Sequence, residues 1–279
     1  MINTIFFGSS EYSVIILDQL LKLSDFKISA VVSKIDKPVG RKQEITPNPI
    51  VKFAKDNNLS LYQIEEFDFK VKSEIKNLNP DLGLCVAFGP PYFDQEMIDI
   101  PKFKIVNIHP SPLPKYRGAT PGPWQIINGE TKSSVTFFQI DVLPDHGPII
   151  AQIPFDISST ETSTTFYKKA FNLACKHLDT ILKNYISSPD NLIIQNHSEK
   201  TYFPKFTKET AQIDWSWSQD KIDRFVRALY PWPTAWTYIT DQKGHLLKMK
   251  MYPENLVQIE GKKITKWSEI SSYYTIKKS

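Results

Sequence analysis

The sequence has little cysteine and no long apolar stretch. Its 279 residues include two cysteines, Cys85 in an apolar run and Cys175 in a helical one, and they form no CxxC pair. Both are expected to be reduced core residues. No apolar run is long enough to cross a bilayer, and the amino terminus lacks the basic start and cleavage site of a secretory signal. We therefore expect a cytoplasmic protein that does not associate with a membrane.

Several common site motifs are also missing. The turn after the first apolar run, Gly8-Ser9-Ser10-Glu11, matches neither GxGxxG nor GxxxxGKS, so dinucleotide binding and phosphate-loop hydrolysis lose their main support. The five histidines show no ligand spacing, which disfavours a metal centre. The net charge of +4 is too small to indicate a nucleic-acid-binding protein by itself. The basic excess lies from Thr201 onwards, with 13 Lys and Arg against 8 Asp and Glu.

The first half of the chain alternates β-rich runs with helical ones. Apolar runs closed by Gly, Pro or Ser predict strands at INTIFFG, ISAVVS, LGLCVAFG and KIVNIHP. The segments EYSVIILDQLLKL and 49–57 have helical spacing, and this alternation predicts a doubly wound, Rossmann-like α/β fold with a mostly parallel sheet. SSVTFFQIDV and GPIIAQIPFDI are separated by a short loop and predict an antiparallel pair at the sheet edge, followed by a helix from about Thr162 to Tyr185.

The last third of the chain has a different pattern. Residues 187–206 contain Pro189 and Pro204 and are expected to form a linker. Beyond them, SQDKIDRFVRAL predicts a helix, and TAWTYI, LLKMKMY and NLVQIEG predict strands. We therefore expect a larger Rossmann-like domain over residues 1–186, a linker over 187–206 and a small β-rich domain over 207–279.

Polar side chains follow the predicted strands where a ligand is expected. In open α/β sheets, ligands bind beyond the carboxyl ends of the strands, at the point where the strand order reverses. Asn107 and His109 end one strand and point to the same side, because side chains two apart on an extended chain share a face. Asp145 lies in the loop between the two edge strands. Taken alone, an Asn-x-His pair more often serves only to satisfy backbone groups at a strand end.

The segment after His109 favours a binding wall. Pro110, Pro112 and Pro114 stiffen it before a helix that begins near Pro121. A rigid loop at a strand end suits a preorganised site better than a linker.

At NIHPSPLPKYRGATP the sequence resembles the formyltetrahydrofolate-dependent transferases. Their hallmark is an N-x-H strand end followed by a Ser-Leu-Leu-Pro-like loop and Tyr-Arg-Gly. Their D-x-G-P/D element is matched by Asp145-His146-Gly147-Pro148. The similarity covers nearly the whole chain, including IFFGSSEYSVIILDQL, SKIDKPVGRKQEITPNPIVKFA, TYFPKFTKETAQIDWSWS, RALYPWPTAW and VQIEGKKITKW.

This resemblance implies a Rossmann-like catalytic domain followed by a barrel of the oligonucleotide-binding type. The stretch between TAWTYI and VQIEGKK is shorter than in the family, so a truncated OB-like barrel is expected. The resemblance assigns catalysis to Asn107, His109 and Asp145 and contacts with an acceptor tRNA to Arg41 and Lys42. The residues that it assigns to folate binding are Phe88, Gly89, Ser111, Pro112, Leu113 and Pro114.

The implied reaction moves the formyl group of 10-formyltetrahydrofolate, without a metal, to the amino group of methionyl initiator tRNA for translation initiation. A monomer is expected. Formyl transfer to an amine needs a hydrogen-bond donor for the oxyanion, a group that accepts the amine proton and a third group that orients this proton acceptor. Asn107, His109 and Asp145 can supply these three roles in that order. No serine or cysteine nucleophile is required, because the amine itself attacks.

Two other functions stay open on sequence grounds. An amino-sugar nucleotide could replace the tRNA as acceptor, because the same catalytic residues would serve it. A non-catalytic RNA-binding protein is the alternative from another class, since aromatic side chains on a basic surface can stack on bases. Its support is the set of tryptophans in the basic tail, Trp215, Trp217, Trp232, Trp236 and Trp267, although tryptophans in so small a domain more often belong to the core.

Overall fold

The computed structural model describes residues 1–39 and 44–277. The strands in these residues are β1 Ile2–Gly8, β2 Phe26–Lys34, β3 Lys37–Val39, β4 Glu44–Thr46, β5 Leu61–Ile64, β6 Leu82–Val86, β7 Ile105–His109, β8 Lys132–Gln139, β9 Ile149–Asp156, β10 Trp236–Asp241, β11 Leu246–Tyr252, β12 Leu256–Ile259, β13 Thr265–Lys266 and β14 Tyr274–Ile276. The helices are α1 Glu11–Leu21, α2 Pro49–Asp56, α3 Phe69–Asn77, α4 Gln95–Asp99, α5 Pro121–Ile127, α6 Ser163–Ser187, α7 Gln219–Ala228 and α8 Trp267–Ile270.

The larger sheet has seven strands in the order β5-β2-β1-β6-β7-β8-β9. The pairs from β5 through β7 are parallel, and β8 runs antiparallel to β7. The strand order reverses between β1 and β6, so their carboxyl ends form the place where a ligand is expected. The predicted Rossmann-like, mostly parallel sheet is confirmed, and β8 and β9 are neighbours at its edge.

Local sequence explains how the first βα unit forms. The second half of β1 is fully buried, as its apolar run requires. Ser10 then caps α1, with its side chain accepting a hydrogen bond from the Ser13 backbone N–H. The Ser13 hydroxyl donates to the Val86 carbonyl at 2.6 Å, which fastens the start of α1 to the end of β6. The reversal point of the sheet is therefore held by short polar side chains.

The sequence did not predict the β3–β4 hairpin, β5, α3 and α4 in the first half of the chain, nor the short elements β13, α8 and β14 near its end. In α3 the one buried side chain is Ile75, and β5 has four residues of which Ile64 is the buried one. Such elements carry too few apolar residues to produce a recognisable period.

The described chain forms two compact units. The first contains residues 1–117, 134–155 and 168–202, and the second contains residues 118–133, 156–167 and 203–279. The second unit includes the antiparallel sheet β13-β12-β11-β10-β14. It packs around a buried cluster of Ile239, Met249, Val257 and Ile259. The expected β-rich carboxyl-terminal part is thus confirmed, whereas the domain boundaries at 186 and 207 stay a prediction.

Helix α7 belongs to the second unit and matches the helix predicted there. Ser218 caps it by accepting a hydrogen bond from the Lys221 backbone N–H. Arg227 lies near its end, pairs with Asp223 and donates from Nη1 to the Glu161 carbonyl at 2.7 Å. Across the described ranges, no helix is both long enough and apolar enough to cross a membrane.

Candidate active site

Strand β7 carries two of the three predicted catalytic side chains to the carboxyl end of the sheet. Asn107 stands opposite Cys85 of β6 and Phe138 of β8 in the strand register, and His109 stands opposite Thr136 of β8. Asn107 is half-buried, whereas His109 is 6% exposed. Because they are two residues apart on an extended strand, the amide and the imidazole share one face of the sheet.

The contacts of His109 assign its tautomer. Its Nε2 lies 3.0 Å from the Tyr116 carbonyl oxygen, which can only accept a hydrogen bond, so Nε2 carries a proton and donates. In the neutral imidazole, Nδ1 is then the nitrogen with a free lone pair. That nitrogen lies 3.6 Å from Oδ1 of Asp145. A proton taken up at Nδ1 would therefore face a carboxylate.

Asp145 lies in the loop between β8 and β9, and its own side chain is 15% exposed. Its backbone adopts φ +52°, in the left-handed region that Asp and Asn tolerate better than most residues. Two residues on, a Cβ at Gly147 would overlap the Gln139 carbonyl oxygen at the end of β8. A glycine is thus required for the loop to pass this close to the strand.

The proline loop after His109 is tied down from within. The buried Ser111 hydroxyl donates to the Lys115 carbonyl at 2.8 Å, and the Ser111 carbonyl accepts from Oγ1 of Thr136 at 2.5 Å. Leu113 is 3% exposed, and its carbonyl accepts from Nε2 of Gln152 at 2.8 Å. The side chains of Ser111 and Leu113 are therefore engaged inside the protein. Pro112 and Pro114 are the half-buried residues of this loop.

The turn after β6, like the proline loop, can present main-chain groups rather than side chains to a ligand. Phe88 is 2% exposed and packs in an aromatic cluster with Phe7, Phe67 and Phe93. Its carbonyl accepts from Oγ of Ser9 at 3.1 Å.

Gly89 follows Phe88 in the same turn and has φ +67°. A Cβ at this position would lie 2.9 Å from Nζ of Lys34. Contacts from Phe88 and Gly89 to a ligand would accordingly involve the main chain.

Sequence reasoning missed a polar group beside the Asp145 loop. Arg117 is 5% exposed, and its Nη2 donates to Oε1 of Gln195 at 2.5 Å and to Nδ1 of His197 at 2.9 Å. The ring of His197 stacks on that of His146 with centroids 4.0 Å apart. Burial lowers the pKa of Arg117, while the nearby carboxylate of Asp145 opposes this shift. Arg117 lies in the Tyr-Arg-Gly motif, which could have indicated it, whereas no pattern marks Gln195 or His197.

The remaining predicted residues have different outcomes. Arg41 and Lys42, the expected tRNA contacts, lie outside the described residues. Cys85 is buried, as expected, and burial raises the pKa of its thiol, as it does for the half-buried Cys175. In the part of the chain that the structure describes, no group of three or more His, Cys, Asp or Glu side chains could hold a metal ion.

Sequence comparison places both parts of the chain in one family. Residues 2–182 match the family model described as formyl transferase, and residues 205–264 match the formyl transferase C-terminal domain. A methionyl-tRNA formyltransferase of Alkaliphilus oremlandii is 35% identical over 259 residues, covering 92% of this chain and 83% of the relative. The enzyme of that name from Clostridioides difficile is 34% identical over 251 residues, covering 90% and 81%.

Solved structures show the same fold. A methionyl-tRNA formyltransferase from Clostridium thermocellum aligns over 100% of both chains with a TM-score of 0.59 and 17% identity. A 4-N formyltransferase from Francisella tularensis aligns over 90% of this chain and 98% of its own, with a TM-score of 0.63 and 23% identity. The family models and the close sequence relatives together lead to one assignment: the chain belongs to the formyl transferase family.

Proposed function

We propose that the protein transfers the formyl group of 10-formyltetrahydrofolate to the amino group of methionyl initiator tRNA. The observation that carries this proposal is the 35% identity to a methionyl-tRNA formyltransferase across 92% of the chain, a span that takes in the second unit as well as the catalytic one. We further propose that the protein acts as a monomer in the cytoplasm, where initiator tRNA is used.

In the proposed reaction, the amine nitrogen attacks the formyl carbon and a new C–N bond forms. The formyl oxygen becomes an oxyanion, which the Asn107 side-chain amide stabilises by donating a hydrogen bond. The tetrahedral intermediate collapses with cleavage of the bond to N10 of the folate. N10 takes up a proton as it leaves, and tetrahydrofolate and the formylated amine are the products.

His109 manages the proton that the amine loses. Its Nε2–H is committed to the Tyr116 carbonyl, so Nδ1 is the proposed acceptor. Asp145 lies 3.6 Å away and stabilises the imidazolium that forms. This arrangement refines the expectation that Asp145 orients the ring, because the Tyr116 carbonyl already performs that task.

The folate is proposed to lie against the main chain of Phe88 and Gly89 and the loop from Ser111 to Pro114. Fixed backbone and proline faces suit a flat ring, since they need no side-chain ordering when the ligand binds. Arg41 and Lys42 are proposed to contact the tRNA.

The second unit presents a face suited to RNA. In the β10–β11 register, Trp236 stands opposite Lys250 and the exposed Tyr238 stands opposite Lys248. Nζ of Lys248 lies 3.5 Å from the Trp236 ring centroid. Lysines for phosphates beside an exposed aromatic ring for stacking are typical of nucleic-acid surfaces. This face supports an RNA acceptor over a small amine.

A competition assay tests the acceptor. The protein is given 10-formyltetrahydrofolate with methionyl initiator tRNA, with amino-sugar nucleotides or with both, and release of tetrahydrofolate is followed. We expect turnover with the tRNA that weakens as salt rises, because phosphate contacts release counterions. Salt-insensitive turnover that needs only the sugar would favour the amino-sugar alternative. Failure to turn over any formyl acceptor would favour the non-catalytic RNA-binding alternative.

A matched pair of lysine variants tests the RNA face. Lys250→Ala is expected to raise the KM for tRNA, leave the KM for the folate unchanged and reduce the slope of log affinity against log salt by about 1. Lys176→Ala removes an exposed lysine from α6 in the first unit and serves as the control. Equal effects of the two variants would contradict a specific role for this face.

A further inference from the structure

The loop that carries Asp145 is held by a side chain from the segment expected to be a linker. Nε2 of Gln195 donates to the Asp145 carbonyl at 3.1 Å and to the Gly147 carbonyl at 2.7 Å. Gln195 is 3% exposed, so these hydrogen bonds lie away from competing water. One amide thus bridges the two carbonyls on either side of His146.

The orientation of this amide is determined by Arg117. Oε1 of Gln195 accepts from Nη2 of Arg117 at 2.5 Å, and a guanidinium can only donate. The Gln195 oxygen must therefore face Arg117, which leaves both N–H groups for the loop carbonyls. Hydrogen bonds from a charged donor are stronger than those between neutral groups, so Arg117 holds the amide firmly.

The segment that carries Gln195 is itself anchored on both sides. Ile193 exchanges backbone hydrogen bonds with Ile149 of β9, at 2.8 and 2.9 Å. Farther along, the Thr201 carbonyl accepts from the Arg117 backbone N–H at 2.9 Å, and its hydroxyl oxygen accepts from the Tyr116 backbone N–H at 2.8 Å. Gln195 is therefore placed by the sheet edge and by the Tyr116-Arg117 dipeptide.

This dipeptide reaches both members of the proposed catalytic pair. The Tyr116 carbonyl accepts from the imidazole of His109, and the Arg117 guanidinium orients the amide that holds the backbone of Asp145. The separation of His109 Nδ1 from Asp145 Oδ1 thus depends on two adjacent residues and on Gln195.

We propose that Gln195 is a positioning residue that sets the distance between Asp145 and His109, with Arg117 fixing its amide. The proposal rests on the proposed function, because it assigns Gln195 a task through the catalytic role of Asp145. Without the two N–H donors, the loop relaxes outwards and the carboxylate leaves the imidazole.

Two substitutions remove the donors in different ways. Gln195→Ala deletes the amide, and Gln195→Glu keeps its size and its partner Arg117 but presents oxygens to the loop carbonyls. A shift of about 1 Å at a catalytic group can lower the rate about 100-fold, so both variants are expected to lose roughly 10- to 100-fold in kcat. The KM values for folate and tRNA should change little, because no substrate contact is removed. Gln125→Ala is the matched control, since Gln125 is a buried glutamine of the second unit that donates to the Pro121 carbonyl.

The experiment combines steady-state kinetics with crystal structures of the wild-type protein and the Gln195→Glu variant. We expect the His109–Asp145 separation to increase by roughly 1 Å or more in the variant, together with the fall in kcat. An unchanged separation, or a kcat like that of Gln125→Ala, would overturn the proposal. The structural result stands whichever amine is the acceptor, whereas a wild-type protein that fails to formylate methionyl initiator tRNA would refute the proposed function alone.

Discussion

Alanine at Gly147 is expected to move the loop that carries Asp145. An added Cβ would lie roughly 1.5 Å closer to the Gln139 carbonyl oxygen than an ordinary van der Waals contact allows. That oxygen belongs to the last residue of β8, which pairs with Val106 of β7 inside the sheet. The strand is fixed by its ladder inside the sheet, whereas the loop is held by fewer hydrogen bonds, among them the two from Gln195, so the loop is the part that moves.

The size of the effect follows from this displacement. A misplacement of about 1 Å at a reacting group can cost about 100-fold in rate, so Gly147→Ala is expected to lower the single-turnover rate by roughly 100-fold or more. The hydrogen bond from Nε2 of Gln195 to the Gly147 carbonyl would be disturbed as well, because this carbonyl belongs to the loop that moves. The KM for the folate should change much less than the rate.

The assay is single-turnover formylation of methionyl initiator tRNA, with thermal unfolding measured on the same samples. Gly244→Ala is the matched control: Gly244 has φ +82°, and a Cβ there meets no atom within 4 Å. It imposes a backbone penalty of about 1 kcal/mol far from any clash, so stability falls but the rate does not. If folded Gly147→Ala keeps a rate within about threefold of the wild type, the argument that this glycine positions Asp145 is wrong.

Three further predictions follow from side chains in the first unit. Asp145→Asn keeps the size of the side chain and tolerates φ +52° but removes the charge, so the rate of formyl transfer should fall roughly 100-fold with stability nearly unchanged. Single-turnover kinetics and thermal melting measure the two effects, and a rate like that of the wild type would contradict this role of Asp145. Burial raises the pKa of the Cys85 thiol and raises that of Cys175 to about 11, so iodoacetamide at pH 8 should label both only after unfolding in urea, and mass spectrometry showing rapid labelling of Cys85 in the native protein would contradict this. Burial and neighbouring cations lower the pKa of His197, so the unfolded chain binds a proton at this residue more readily than the folded protein does. The free energy of unfolding should therefore decline as pH falls below the ordinary histidine value of 6.5. Urea titrations at several pH values should show a weaker decline for His197→Gln than for the wild type.

The sequence was informative where function depends on strand geometry. The period of two in an extended strand places Asn107 and His109 on one face, and the parallel order of the sheet places their strand end beside that of β6, next to the reversal point. These inferences need only local pattern. The same holds for α7, whose capping serine and apolar spacing are contiguous in the chain.

Contacts between segments that are far apart in the sequence could not be predicted from local patterns. Arg117 and Gln195 are 78 residues apart, and no local pattern marks a glutamine that bridges two carbonyls. The direction of a side chain could not be predicted either: the resemblance assigns Ser111 to folate binding, but its hydroxyl donates to the Lys115 carbonyl. Nor could the burial of the tryptophans be predicted: Trp236 is 8% exposed, whereas Trp232 is 54% exposed.

The most direct test of the account is the amount of formylmethionine formed when the pure protein is incubated with 10-formyltetrahydrofolate and methionyl initiator tRNA. Samples of wild type and His109→Ala are deacylated, and formylmethionine is measured against time. We expect formylmethionine from the wild type and a rate at least roughly 100-fold lower from the variant. A wild type that forms none would contradict the proposed function, and a His109→Ala variant that forms it at the wild-type rate would contradict the role of His109.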